Sequence, residues 1–494
     1  MRPVRFAAVV AVGYLLMQTL WILTVPPFRG VDEFDHAFRA AGAATGQWRL
    51  TEPAADGRGM EVVVPADLVA AASAQCDWLP YPGPDNCFPI DEVGEDQVVI
   101  ATSAALYNPV WYAVVGQAGR PFEGAGSLYA MRIFTSLVCA VGVGLAAWAL
   151  ALRRPGRWTR FGFVAALTPV WIYSTVVPGP NGPEMTAGLI LWMSLLAVFD
   201  PEVPPRHERW LLCLAGGAAC VLATLRLLGP MWLGVVVLAV VALVGYRQVF
   251  AVVRRRARWW AAVSGVVVVA VVAGSWWSLD QGMTGTSLDV QGKGPMPEFE
   301  VGTKPFAWTL GMVAAFPLRR ETAHPAVYMC VSLALGFILV AAVIRARGRH
   351  RVVLGAMLLL VVALPVVLTA ATMDTQGVIW QGRYQLAWAV GIPVVAGAVL
   401  DHTGFLRGER DKPVVLLVVL LAIAHGMSVW GVSLGETRRP VSADDPSWVS
   451  LPPVLLGVLF FLLALVWATW LCTRPWADEG EAVGKPSAVE TARG

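Results

Sequence analysis

Charge is what this sequence has least of. Only 14% of its 494 residues are Asp, Glu, Lys or Arg, against 57% hydrophobic, and the mean hydropathy is +0.62. That balance excludes an ordinary soluble domain. The chain also lacks a Walker loop, a G-x-S-x-G elbow and a dinucleotide fingerprint, which argues against an ATP-driven pump or a soluble-type enzyme. Its seven cysteines show no zinc spacing. No small-x-small cleavage site follows the first apolar run, so that run reads as an uncleaved helix rather than a signal peptide. No internal repeat supports the inverted symmetry of many transporters, and nothing points to nucleic acid.

What the chain does have is apolar runs of roughly 17–25 residues, the length that crosses a bilayer as a helix. About twelve are read, at 4–25, 127–152, 161–177, 185–199, 210–225, 229–246, 259–277, 326–344, 352–373, 384–400, 413–434 and 452–472. The pair around Arg226 could instead be one broken hairpin. The expected fold is an all-α polytopic membrane protein: one membrane domain over 1–474, then a short polar tail, 475–494, expected to be disordered. A β-barrel would need short alternating strands, which these long runs are not.

Arginines set the orientation. They crowd into alternate loops: Arg153, Arg154, Arg157 and Arg160; Arg206 and Arg209; Arg247 and Arg254 to Arg258; Arg345 to Arg351; then Arg407, Arg410 and Lys412. By the positive-inside rule both termini are then cytoplasmic. Two long extracytoplasmic loops result, 26–126 and 280–325, the second starting with a Gly-rich stretch. Each holds an apolar piece too short to span, "SAALYNPVWYAVVGQAG" and "KPFAWTLGMVAAFP", expected on the outer membrane surface. Cys76 and Cys87 sit in the first loop, where an oxidising compartment makes a disulfide plausible.

Directly after the first span comes "VPPFRGVDEFDHAFRA". At helical spacing Phe34, Ala37, Phe38 and Ala41 share one face, and Asp32, Asp35, His36 and Arg39 the other, with Glu33 at its edge. This predicts an amphipathic helix lying on the membrane surface. Its acids fit either a solvated face favoured by the helix dipole or a general base or cation site, and the pattern alone does not choose. A second polar group, "WQGRYQLAW", places Gln381, Arg383 and Tyr384 at the start of the tenth span, on the same side. Arginine at a helix start suits a phosphate, though a snorkelling anchor fits the spacing as well. Asn181 and Glu184 stand at the turn before the fourth span, Arg226 near the outer end of its own. Lys304, Arg319 and Arg320 flank the second surface piece; any of these could meet lipid headgroups or a substrate phosphate. Tyr107, Trp111 and Tyr112 read as interface anchors and His425 as a packing residue.

Taken in order, "PPFRGVDEFDHAFRA", "LYNPVWY", "NGPEM", "LATLRLLGP" and "QGRY" resemble a family of predicted bacterial membrane proteins catalogued as domain of unknown function 2142, which look like C-type glycosyltransferases. The resemblance spans nearly the whole chain. It implies transfer of a sugar from a polyprenyl-phosphate donor to an envelope glycan, lipid or protein at the extracytoplasmic face. Carried over, Asp32 is the acid that deprotonates or orients the acceptor, with Glu33 as second catalytic candidate. His36, Arg383, Tyr384, Gln381, Glu184, Asn181, Arg226 and Lys304 are substrate-binding candidates, Arg383 for the donor phosphate. The resemblance fixes no cofactor, and a divalent cation stays open. The alternatives are a transporter or scramblase of lipid-linked saccharides and a non-catalytic envelope-assembly protein.

Overall fold

The computed structural model describes residues 2–79, 82–283, 298–316, 322–377, 380–406, 409 and 411–476. Most of the Gly-rich stretch, Arg319, Arg320 and the tail from 477 lie outside them. The chain opens with α1 (Pro3–Thr24) and α2 (Glu33–Ala44), then β1 (Met60–Pro65), α3 (Ala66–Cys76), β2 (Asp91–Glu92), β3 (Gln97–Thr102) and α4 (Pro109–Gly119). The bundle continues through α5 (Gly124–Leu152), α6 (Arg157–Ala166), α7 (Pro169–Ser174), α8 (Asn181–Val198), α9 (Glu208–Leu225) and α10 (Gly229–Val244). Next come α11 (Tyr246–Arg255), α12 (Ala257–Asp280), α13 (Glu298–Gly311), α14 (Pro325–Arg345), α15 (Gly348–Ala371) and α16 (Met373–Gln376). The last elements are α17 (Leu386–Ala389), α18 (Gly391–His402), α19 (Lys412–Thr437), α20 (Pro440–Ala443) and α21 (Pro453–Thr473).

Among the described residues eight helices are long and apolar enough to cross a membrane, or up to ten if two bent pairs count as spans. The difference from about twelve has a local cause. The run at 161–177 is not one helix but α6 and α7, broken at Leu167 and Thr168. Pro169 disfavours helical backbone at the residue before it. The run at 185–199 is the C-terminal part of α8, which starts back at Asn181, so that Asn181 and Glu184 take up its first turn and leave a short apolar length. Around Arg226 the chain forms two helices, α9 and α10, rather than one broken one.

The basic loops meet at one end of the bundle. Arg153 pairs with Asp200 at 2.7 Å, Arg157 reaches Asp411, and the Asp401 carboxylate accepts from the Trp158 and Thr159 amides at the start of α6. At the opposite end, residues 26–123 form a small unit with its own apolar core. There β1, β3 and β2 make a three-stranded antiparallel sheet in that order, with Met60 opposite Thr102. The sheet was not foreseen. Phe34, Phe38, Val62, Val64, Leu68, Ile100, Tyr112 and Val115 fill the space between it, α2, α3 and α4. A Cys76–Cys87 disulfide (S–S 2.02 Å) closes the segment between α3 and β2.

One sequence expectation is corrected here. The helix at 33–44 does not lie on a surface: Glu33, Asp35, His36 and Arg39 are as buried as Phe34 and Phe38. Its apolar face enters the small core, and its polar face is covered by α4, α5 and the 173–183 segment. Helical periodicity reports that a face is polar, not what covers it. The two short apolar pieces become α4, packed on α2 and α5, and part of α13, packed on α15 and on the 3-10 turn at Gly382–Gln385.

Candidate active site

The end of α1 and the start of α2 are joined by a loop held at almost every residue. Phe28 and Asp32 both take positive φ, 59° and 53°. That is a costly conformation for a side chain, and asparagine and aspartate tolerate it best. The loop is kept there by buried contacts. Arg29 Nε donates to Glu436 Oε1 at 2.9 Å, the Val31 amide donates to Tyr173 Oη at 2.9 Å, and the Gly30 amide donates to Glu33 Oε2 at 2.9 Å. Arg132 on α5 binds Glu33 through Nε and Nη2, at 2.7 and 2.6 Å, and donates to the carbonyls of Val25 and Pro26, both at 2.7 Å. Both Glu33 oxygens are thus occupied, and the residue has no exposed surface.

Each remaining member of the acidic cluster goes its own way. Asp35 accepts from the Ser103 amide; burial pushes its carboxyl up to about 6. His36 Nδ1 shares a 2.8 Å hydrogen bond with Tyr112 Oη, and burial pulls its imidazole down to about 4, so the ring is neutral near pH 7. The other edge of the ring abuts Gly179, where an added Cβ would lie 2.6 Å from Nε2. Asp32 faces a different arginine: its Oδ2 lies 3.7 Å from Arg383 Nη2, with the Asp32 side chain 21% exposed and Arg383 4%. Among the described residues no group of three or more His, Cys, Asp or Glu converges as metal ligands.

Arg383 sits in the 3-10 turn before α17. This turn seats against α13 so closely that a Cβ on Gly382 would collide with the Trp308 carbonyl. Several buried polar atoms of the segment have no partner among the described residues: Trp380 Nε1, Gln381 Oε1, Arg383 Nε and Gln385 Oε1. Unpaired buried groups are costly, and these four gather beside one arginine. Tyr384 lies under a second arginine: the Arg226 guanidinium is 4.3 Å from its ring centre. Arg226 also bonds Asn181 Oδ1, reaches Glu184 Oε2 at 3.7 Å and Tyr107 Oη at 3.5 Å. Burial raises the Tyr107 phenol above its usual range, and the nearby Arg226 partly offsets this.

Beside these groups lies a cavity of about 340 Å³. Tyr107, Glu184, Arg226 and Tyr384 form its polar wall, and Leu106, Leu228, Trp232, Leu368 and Trp380 its apolar walls. Asp32 and Arg383 are not part of its lining; the Arg383 guanidinium lies 5.7 Å from the ring centre of Tyr384, which is. Lys304 is one helical turn before Trp308 on α13 and has no ion pair or hydrogen bond among the described residues. Arg132 was missed from sequence, although an ionisable residue early in an apolar span is itself a signal.

Membrane-length helices carrying a buried carboxylate–arginine site beside an apolar cavity define a polytopic α-helical membrane protein. The chain belongs to the family described as "Predicted membrane protein (DUF2142)", whose model matches residues 15–392. No curated protein matches it. Among solved structures, the crystal structure of ArnT from Cupriavidus metallidurans bound to undecaprenyl phosphate is similar over 93% of this chain and 77% of that one. The identity is 14% and the TM-score 0.41.

Proposed function

We propose that this protein is a membrane glycosyltransferase that moves a sugar from a polyprenyl-phosphate donor to an envelope acceptor, at the extracytoplasmic end of the bundle. The observation that carries the reading is the Asp32–Arg383 pair, 3.7 Å apart and mostly buried, next to an apolar cavity among membrane helices. In the reaction the acceptor hydroxyl oxygen bonds to the anomeric carbon as the bond from that carbon to the phosphate oxygen breaks. Asp32 accepts the hydroxyl proton. Arg383 takes the growing charge on the leaving phosphate, and its unpartnered Nε is available to donate to it. Arg226, fixed over Tyr384, adds positive potential at the polar wall of the cavity. The first isoprene units lie along Leu228, Trp232, Leu368 and Trp380, so donor and product stay in the bilayer. Glu33 is a positioning residue in this reading, and His36 holds Tyr112 rather than a proton in transit.

The test is release of free polyprenyl phosphate from polyprenyl-phosphate sugars by the purified chain with an envelope fraction as acceptor. Asp32→Asn should lower turnover by roughly 10²–10⁴-fold, and Arg383→Ala should weaken donor use, both with normal yield. Undiminished release by either variant removes that residue from the chemistry.

A further inference from the structure

At the end away from the site, α10 stops at Gly245, whose φ of 93° turns the chain by 103° into α11. Ten residues of helix then run across the bundle end before α12 rises again. At 100° per residue, Tyr246, Val249, Phe250, Val252 and Val253 fall on one side and Arg247, Gln248, Arg254 and Arg255 on the other. The body of the protein accounts for only part of the apolar side. Val252 is buried and the Gln248 amide donates to the Phe199 carbonyl at 2.6 Å, yet Tyr246 and Phe250 are 70% and 65% exposed. Two large rings stand bare where two membrane helices end, with arginines beside them.

The surrounding charges do not neutralise those arginines. Asp200 is taken by Arg153 and Glu208 by Arg256 at 2.9 Å. Exposed Glu202 is the remaining acid of the α8–α9 connection, which also carries Arg206, with Arg209 just beyond it. Arg247, Arg254, Arg255 and Arg258 have no acidic partner among the described residues. Trp210 and Trp259, at the starts of α9 and α12, are also exposed, the latter 5.2 Å from the Arg209 guanidinium.

We propose that α11 is an interfacial helix that holds anionic phospholipid headgroups, its rings in the acyl boundary and its arginines on the phosphates. A helix in the membrane plane with an apolar edge and a cationic edge gains from both burial and surface charge. A soluble polyanion would leave Tyr246 and Phe250 in water, and a second copy would set arginine against arginine.

The test uses the full chain and native mass spectrometry, comparing retained phosphatidylglycerol with phosphatidylcholine. Each arginine is worth about fivefold near an anionic surface, so the wild type should favour phosphatidylglycerol, less so at high salt. The triple variant R247Q/R254Q/R255Q should cut that preference at least tenfold, as an estimate from the same figure discounted for screening. R254K/R255K should keep it, and Phe250→Ser should lower retention of both lipids. Equal retention of the two lipids by the wild type, or a preference that survives the triple variant, overturns the proposal.

Discussion

Glu33 and Asp32 are neighbours in sequence, and the structure separates their roles sharply enough to test. Removing the Arg132 guanidinium with Arg132→Met leaves the Glu33 carboxylate buried, with the Gly30 amide as its remaining hydrogen-bond donor. It also strips the carbonyls of Val25 and Pro26 of a donor. Breaking one side of a buried pair costs about 3–5 kcal/mol, a large share of the ~5–15 kcal/mol that holds a domain together. The double variant Glu33→Gln/Arg132→Met removes both charges and should recover part of that loss. Asp32→Asn behaves differently. The pair with Arg383 is at 3.7 Å and partly open to solvent, and asparagine accepts the positive φ. Its stability should lie within about 1 kcal/mol of wild type, while transfer is lost. Thermal unfolding in detergent, run beside the release assay, reads both. An Arg132→Met protein as stable as wild type would refute the argument, as would a Glu33→Gln protein that is fully stable yet inactive.

Three further outcomes follow from geometry already described. Replacing Cys76 and Cys87 by serine opens a loop of sequence separation 11, which should cost the first-loop unit about 3 kcal/mol; limited proteolysis between residues 52 and 100 detects it. Gly382→Ala should disrupt the seat on α13 and lower donor affinity along with turnover; unchanged kinetics would show that the turn can shift without moving Arg383. On pH, His36 is lowered to about 4, so its contribution is present above its ordinary 6.5 and lost as pH falls from 6.5 to 4. Asp35 is raised from 3.8 to about 6, so its contribution is present below 3.8 and lost as pH rises through 6. The two oppose each other. Relative to wild type, Asp35→Asn should lose stability on acidification from 6.5 to 4, and His36→Gln should gain it, in pH-dependent unfolding midpoints.

The long spans were legible in sequence because hydrocarbon demands about twenty apolar residues in a row. The basic end was legible because arginines cluster in alternate loops. The sheet was not: β1 and β3 are short, and "MEVVVP" and "QVVIAT" lie within a long loop where only partner strands give them meaning. The break at Pro169 was available from the proline itself and was overridden by the apolar run. The four-residue acidic cluster shows the limit most clearly. Its composition is visible at once, but that Glu33 meets Arg132, Asp35 meets Ser103 and only Asp32 faces Arg383 depends on chains that return from residues 103, 132 and 383.

That last pairing also has a timetable. Asp32 emerges from the ribosome early, and Arg383 follows 351 residues later (383 − 32), which at about 5–20 residues per second is roughly 20–70 s. The Arg29–Glu436 bond that steadies the same loop spans 407 positions. Until the last third of the chain has been made, neither the Arg383 nor the Glu436 contact of this loop can form. The segment between α1 and α2 therefore reaches its described form only once the C-terminal helices have been made and packed.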